Sequence, residues 1–87
     1  MKNCTVAEHW YNRTKPRLTG SNMYFIGDTI YSYGPHFPMA KLINGAVLRN
    51  PRRYSRSTTR HQGYVNQAIG EGKIIVDLDV GRWNEFE

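Results

Sequence analysis

Between Asp28 and Glu71 the chain contains no carboxylate at all, yet it carries Lys41, Arg49, Arg52, Arg53, Arg56 and Arg60 there. A solvated face ordinarily mixes both signs, because interspersed charges limit self-repulsion. A run of one sign instead builds a local field that draws an oppositely charged partner. Cysteine is almost missing as well. Cys4 stands alone, so no internal disulfide can form, and a reducing cytoplasm is the expected setting. No apolar run approaches the ~20 residues that cross a bilayer, and MKNCTVAEHWYNRTK lacks the apolar centre of a secretory signal. A membrane partner is not expected.

Chemical signatures are equally scarce. His9, His36 and His61 are scattered, without HxH, HExxH or CxxC spacing, so neither a metal nor another cofactor is expected. No glycine pattern matches a phosphate-binding loop or a dinucleotide fingerprint. The glycine-aromatic run of an RNA-recognition motif is also missing.

What remains is enough for one small domain spanning residues 1–87. Apolar residues make up 39% and aromatics 13% of the 87, which supports a modest core and excludes a disordered chain. The net charge of +5 and pI of 9.7 suit nucleic acid or an acidic protein.

The pattern along the chain predicts an α+β fold. In residues 1–22 it does not establish order; Thr5 to Arg13 reads as a short helix, with Thr5 as N-cap and Glu8 completing a capping box. Thr14–Asn22 reads as a loop. MYFIGDTIYSY is a hairpin turning at Gly27-Asp28. If Ile26 pairs with Thr29, then Tyr24, Ile26, Thr29, Tyr31 and Tyr33 share one face, and Phe25, Ile30 and Ser32 the other. GPHFP breaks the ladder. MAKLINGAVLR is a second hairpin turning at Asn44-Gly45, with Lys41, Ile43, Ala46 and Leu48 on one face and Ala40, Leu42, Val47 and Arg49 on the other. A helix capped by Ser57 or Thr58 follows, with Tyr64, Val65, Ala68 and Ile69 as its apolar stripe, ending at Gly70 or Gly72. KIIVDLDV reads as a strand buried around Ile74–Val76, and GRWNEFE as an edge strand or a loose end. The expected architecture is a small antiparallel sheet of two hairpins and a C-terminal strand, packed against one main helix.

Three constellations carry chemistry. The first is the segment from Arg49 to Arg60. Guanidinium groups bind two oxygens of a phosphate or carboxylate at once, and here Arg49, Arg52, Arg53, Arg56 and Arg60 stand beside Tyr54 and Thr59, with His61 next and Lys41 nearby. The bland reading is a solvated loop whose arginines pair with Glu71, Asp77 and Asp79. The second is an aromatic platform of Tyr24, Tyr31 and Tyr33, able to stack bases or to serve as ordinary core. The third is His61 with His36, Arg60 and Tyr64, which could form a metal-free ribonuclease site. No base–acid pair at fixed spacing supports it, so a structural histidine is the favoured reading.

The blocks YSYGPHFPMA (31–40), ING (43–45) and YSRSTTRHQGYV (54–65) together resemble a family of small phage and plasmid proteins. That family has an aromatic-Ser-Tyr-Gly-x-His-Phe-Pro block before a hairpin, followed by a Thr-Thr-x-His-Gln helix start. The resemblance covers about two-fifths of the chain. It implies a mobile-element context and no particular activity. It also suggests that Tyr33, His36, Phe37, Thr59, His61 and Gln62 meet where the proline-broken loop docks on the helix start.

The leading expectation is a non-enzymatic protein that engages DNA or RNA through its arginine-rich face. The alternative is a phage-encoded inhibitor of a host defence ribonucleoprotein or nuclease, such as a CRISPR effector, acting by protein–protein contact. A small metal-independent ribonuclease is the enzymatic alternative.

Overall fold

The computed structural model describes residues 2–35, 37–43, 46–52, 56–69 and 74–86, with the backbone alone at Ser57 and Phe86. Val6, Ala7 and Trp10 recur at helical spacing and are all buried, and they turn helix α1 (Asn3–Asn12) toward the core. Lys2 occupies the N-cap without a side-chain hydrogen bond. The expected cap at Thr5 is therefore displaced: Thr5 lies inside the helix, whose start is set by the burial of Val6 and Ala7. Arg13 ends α1 in a left-handed conformation, and its amide donates back to helix carbonyls.

Strand β1 (Arg17–Thr19) falls where a loop was expected. Leu18 alone supplies its apolar contact with the core, which is why the pattern is weak there. β2 (Met23–Ile26) and β3 (Thr29–Ser32) form the predicted hairpin, with Ile26 opposite Thr29. Gly27 takes φ +58°, the positive φ that a two-residue loop needs at its first central residue. β4 (Pro38–Ile43) and β5 (Ala46–Arg49) form the second hairpin, Ile43 opposite Ala46. Its Asn44-Gly45 turn lies outside the described residues. A register shift at Ile30/Tyr31 leaves Met39 as an extra residue, so Met39 and Ala40 are both buried.

Helix α2 spans Arg56–Ala68. It starts two or three residues earlier than a cap at Ser57 or Thr58 would allow, and Thr58 is buried instead. Val65 and Ile69 enter the core, with Tyr64 and Ala68 packed against it, as the stripe predicts. The expected end of this helix at Gly70 or Gly72 lies outside the described residues. Because α2 carries the chain back across the sheet, β6 (Ile74–Asp77) pairs with β5 in parallel. The sheet is thus mostly rather than wholly antiparallel, in the order β1-β2-β3-β4-β5-β6. β6 is an edge strand, so Ile74 and Ile75 are exposed rather than buried as the apolar run suggested. The tail forms a 3₁₀ turn (Val80–Phe86), neither strand nor loose end. Trp83 buries its ring there and donates to the Leu78 carbonyl at 2.7 Å.

Two helices, not one main helix, cover one face of this sheet. α1 packs on β1, β2 and β3 and on α2, while α2 packs on β4. The core between them holds Trp10, Met23, Phe25, Ile30, Met39, Leu42, Val47 and Val65. Trp10 also donates its indole N–H to the Asp28 carbonyl at 2.7 Å, which fastens α1 over the first hairpin turn.

Gly20 sits where α1 comes closest to the backbone. A Cβ there would lie 2.6 Å from Val6 Cγ2 and 3.3 Å from the Met23 carbonyl oxygen. Gly20→Ala is expected to destabilise the fold by about 1–3 kcal/mol, in the range of other overpacking substitutions. Urea unfolding checks this through a lower midpoint at unchanged slope. An unchanged midpoint contradicts the close packing of α1.

Candidate functional site

A polar residue on the inner face of a strand must find a partner, and Ser32 is such a residue, facing inward opposite Met23 and 1% exposed. Its Oγ lies 2.7 Å from His61 Nδ1 and 3.5 Å from Thr58 Oγ1, both on the first turns of α2. His61 is 3% exposed. On its other side, Asn3 Nδ2 approaches Nε2 at 3.5 Å, while Asn3 Oδ1 accepts the Asn22 amide. That orientation makes Nε2 the acceptor, so Nδ1 carries the proton and donates to Ser32. Tyr33 closes the cluster: it leaves the strand at φ +66° and tilts its ring against the imidazole, with 5.2 Å between centroids.

The two sequence blocks therefore meet through Ser32 and Tyr33 on one side and Thr58 and His61 on the other. Phe37 instead joins the core, and His36 lies outside the described residues. Both ring nitrogens of His61 face protein groups, as expected of a structural histidine. Ser32 and Asn3 were missed in the sequence; the inward position of Ser32 was the available signal.

Burial, and then the nearby Arg60 charge, push the His61 pKa below its ordinary value. The unfolded chain consequently binds a proton that the folded chain refuses, between the folded value and about 6.5. Stability from this source is full above ~6.5 and falls as the pH drops through that window. We expect the urea midpoint to fall on acidification from neutrality, and His61→Gln to flatten that part of the profile. Parallel profiles for the two proteins contradict the assignment.

The same packing sets the position of the arginines. Asn50 is buried and its amide nitrogen donates to the Pro38 carbonyl at 3.0 Å, while its Oδ1 accepts the Arg52 amide. Gln62 of α2 donates to the Arg52 carbonyl at 2.8 Å and lies 3.3 Å from that of Asn50. The chain leaving β5 is thus pinned to the first turns of α2. Arg56 and Arg60 are exposed there, four residues apart and so on one helix face. Among the described residues no carboxylate pairs with either. Arg52 is exposed and only loosely paired with Asp79, at 3.5 Å. Arg53 and Tyr54 lie outside the described residues.

Arg49 belongs to a different arrangement. It is the register partner of Asp77 and grips it with two hydrogen bonds, at 2.6 and 2.9 Å, while donating a third to Asn66 of α2 at 3.0 Å. These hydrogen bonds hold the Asp77 carboxyl below its ordinary pKa and raise that of Arg49. Arg49 thus ties β5, β6 and α2 together and is not available to a ligand in the way Arg56 and Arg60 are. Beside it runs a groove of about 360 Å³, lined by Thr59, Gln62, Met39 and Asn66 among others.

On the opposite face of the sheet, Tyr24 and Tyr31 are register partners and stack, with centroids 4.9 Å apart and planes at 14°. Tyr33 is not part of this platform, since its left-handed backbone turns it to the helix side. Lys41 lies on the open face too, opposite Thr29 and Leu48. Among the described residues no helix is long and apolar enough to cross a membrane, and no cluster of metal-binding side chains forms. Comparison with known protein families, curated proteins and solved structures finds no match.

Proposed function

We propose that the chain is a small, non-enzymatic nucleic-acid-binding protein of the mobile-element type, which grips phosphates with the basic end of α2. The observation that carries this reading is the pair Arg56 and Arg60. They are exposed on one helix face, without a carboxylate partner among the described residues, beside a loosely paired Arg52. Two unneutralised guanidinium groups at this spacing suit successive phosphates, and their register is held by the Ser32–His61 and Gln62–Arg52 contacts. The sequence carries no recognition motif for base edges, so binding is expected to follow phosphate rather than sequence.

Fluorescence anisotropy with a labelled oligothymidylate and a duplex of the same length, across a salt series, tests the reading. Affinity should fall linearly with salt on a log–log plot. Changing both Arg56 and Arg60 to Ala should reduce the slope by about 1.4–1.8, the share of two phosphate contacts. A response that ignores salt, or a double variant that binds like the parent, contradicts the proposal. In that case the arginines are contacts for a protein partner, as the inhibitor alternative requires.

A further inference from the structure

The helices cover one face of the sheet, and the other face is left with a distinctive set of side chains. Register partners point to the same side of a sheet, so one row across β1 to β4 reads Arg17, Ile26, Thr29 and Lys41; at β5 the row ends on Leu48, which is fully buried. The adjacent row places Thr19, Tyr24 and Tyr31 side by side. Ile26 is 58% exposed, and Arg17 is exposed beside it. No strand residue on this face is acidic among those described. Asp28 in the adjoining hairpin turn is paired with Arg13.

We propose that this open face is a stacking surface for single-stranded nucleic acid, an inference that rests on the reading above and names its substrate class. The Tyr24 and Tyr31 rings stack on each other, with Pro38 across from Tyr31 on its other side, so a base is expected against the outer face of Tyr24. Beside Tyr24 the neighbour across the strand is the short Thr19, which leaves room for a planar ring. Burial and then Tyr31 raise the Tyr24 pKa, so that phenol is uncharged at physiological pH. Arg17 flanks the pair in the next row, exposed, where it suits a phosphate beside a stacked base. A duplex keeps its bases inside and cannot use such a surface.

Topology joins this surface to the arginines. β3 ends, β4 begins and β5 ends at one edge of the sheet, and the Ser32–His61 bond brings the start of α2 to that same edge. A strand stacked on this tyrosine pair therefore runs toward Arg52 and Arg56. The charge also selects the occupant: a second copy of a +5 chain would set Arg17 and Lys41 against like charges, whereas a polyanion complements them.

The test compares wild type, Tyr24→Ala/Tyr31→Ala and Tyr24→Phe/Tyr31→Phe, using labelled oligothymidylate and a duplex of equal length. The alanine pair should weaken single-strand binding at least about tenfold and leave duplex binding and the salt slope unchanged. The phenylalanine pair keeps both rings and should bind like wild type, which separates lost stacking from lost folding. Equal single-strand affinity in the alanine pair overturns the proposal while leaving the phosphate-binding reading intact. Sedimentation gives a second check: a wild-type dimer that the alanine pair dissociates makes the face an interface between copies and also overturns it. Absence of binding to either probe in the wild type removes the underlying reading itself.

Discussion

Eighty-seven residues supply enough apolar side chains to cover one face of a six-stranded sheet, and that scarcity decides the molecule. α1 and α2 lie side by side on the face formed by Phe25, Ile30, Leu42 and Val47. Burial of this face is the main source of stability, since each large side chain removed from water contributes roughly 1.5–3 kcal/mol. With both helices committed there, the strands β1 to β4 present their other side to solvent. The exposed Ile26 and the stacked tyrosines follow from that one-sided core.

A second dependence runs through the contact between β3 and α2. Ser32, Thr58 and His61 form a buried polar junction inside an otherwise apolar seam. A satisfied junction of this kind has a directional requirement that apolar packing lacks. It brings the start of α2 to the sheet edge where β3 and β5 end, and it buries His61, whose pKa that burial and then Arg60 lower. Gln62, one residue further on, fastens the chain that carries Arg52. Basic groups and aromatic face thus meet at one edge because a histidine and a glutamine hold the helix start in place.

The hairpins and the stripe of α2 were legible because they are local. Gly27-Asp28 sets the turn, and the turn sets which of Tyr24 and Phe25 faces outward. The less legible parts depend on partners distant in the chain. β6 looks like a buried strand from IIVD alone, and only the crossover through α2 makes it a parallel edge. Arg49 looks like one more member of a basic cluster until the pairing of β5 with β6 sets it opposite Asp77. β1 has a single apolar residue, too little for a periodic signal. Tyr33 follows the strand alternation in sequence, yet its left-handed backbone, tied to the Asn22 carbonyl at 2.8 Å, sends it to His61 instead.

The proposed ligand path runs along the open face and over the sheet edge to α2. Titrating isotope-labelled protein with a short oligothymidylate and following backbone amide shifts tests this most directly. The account predicts that perturbed amides cluster at Arg17, Tyr24, Tyr31, Lys41 and Arg52–Arg60, with α1 undisturbed. Perturbations confined to α1 or to the C-terminal turn, or none at all, would contradict it.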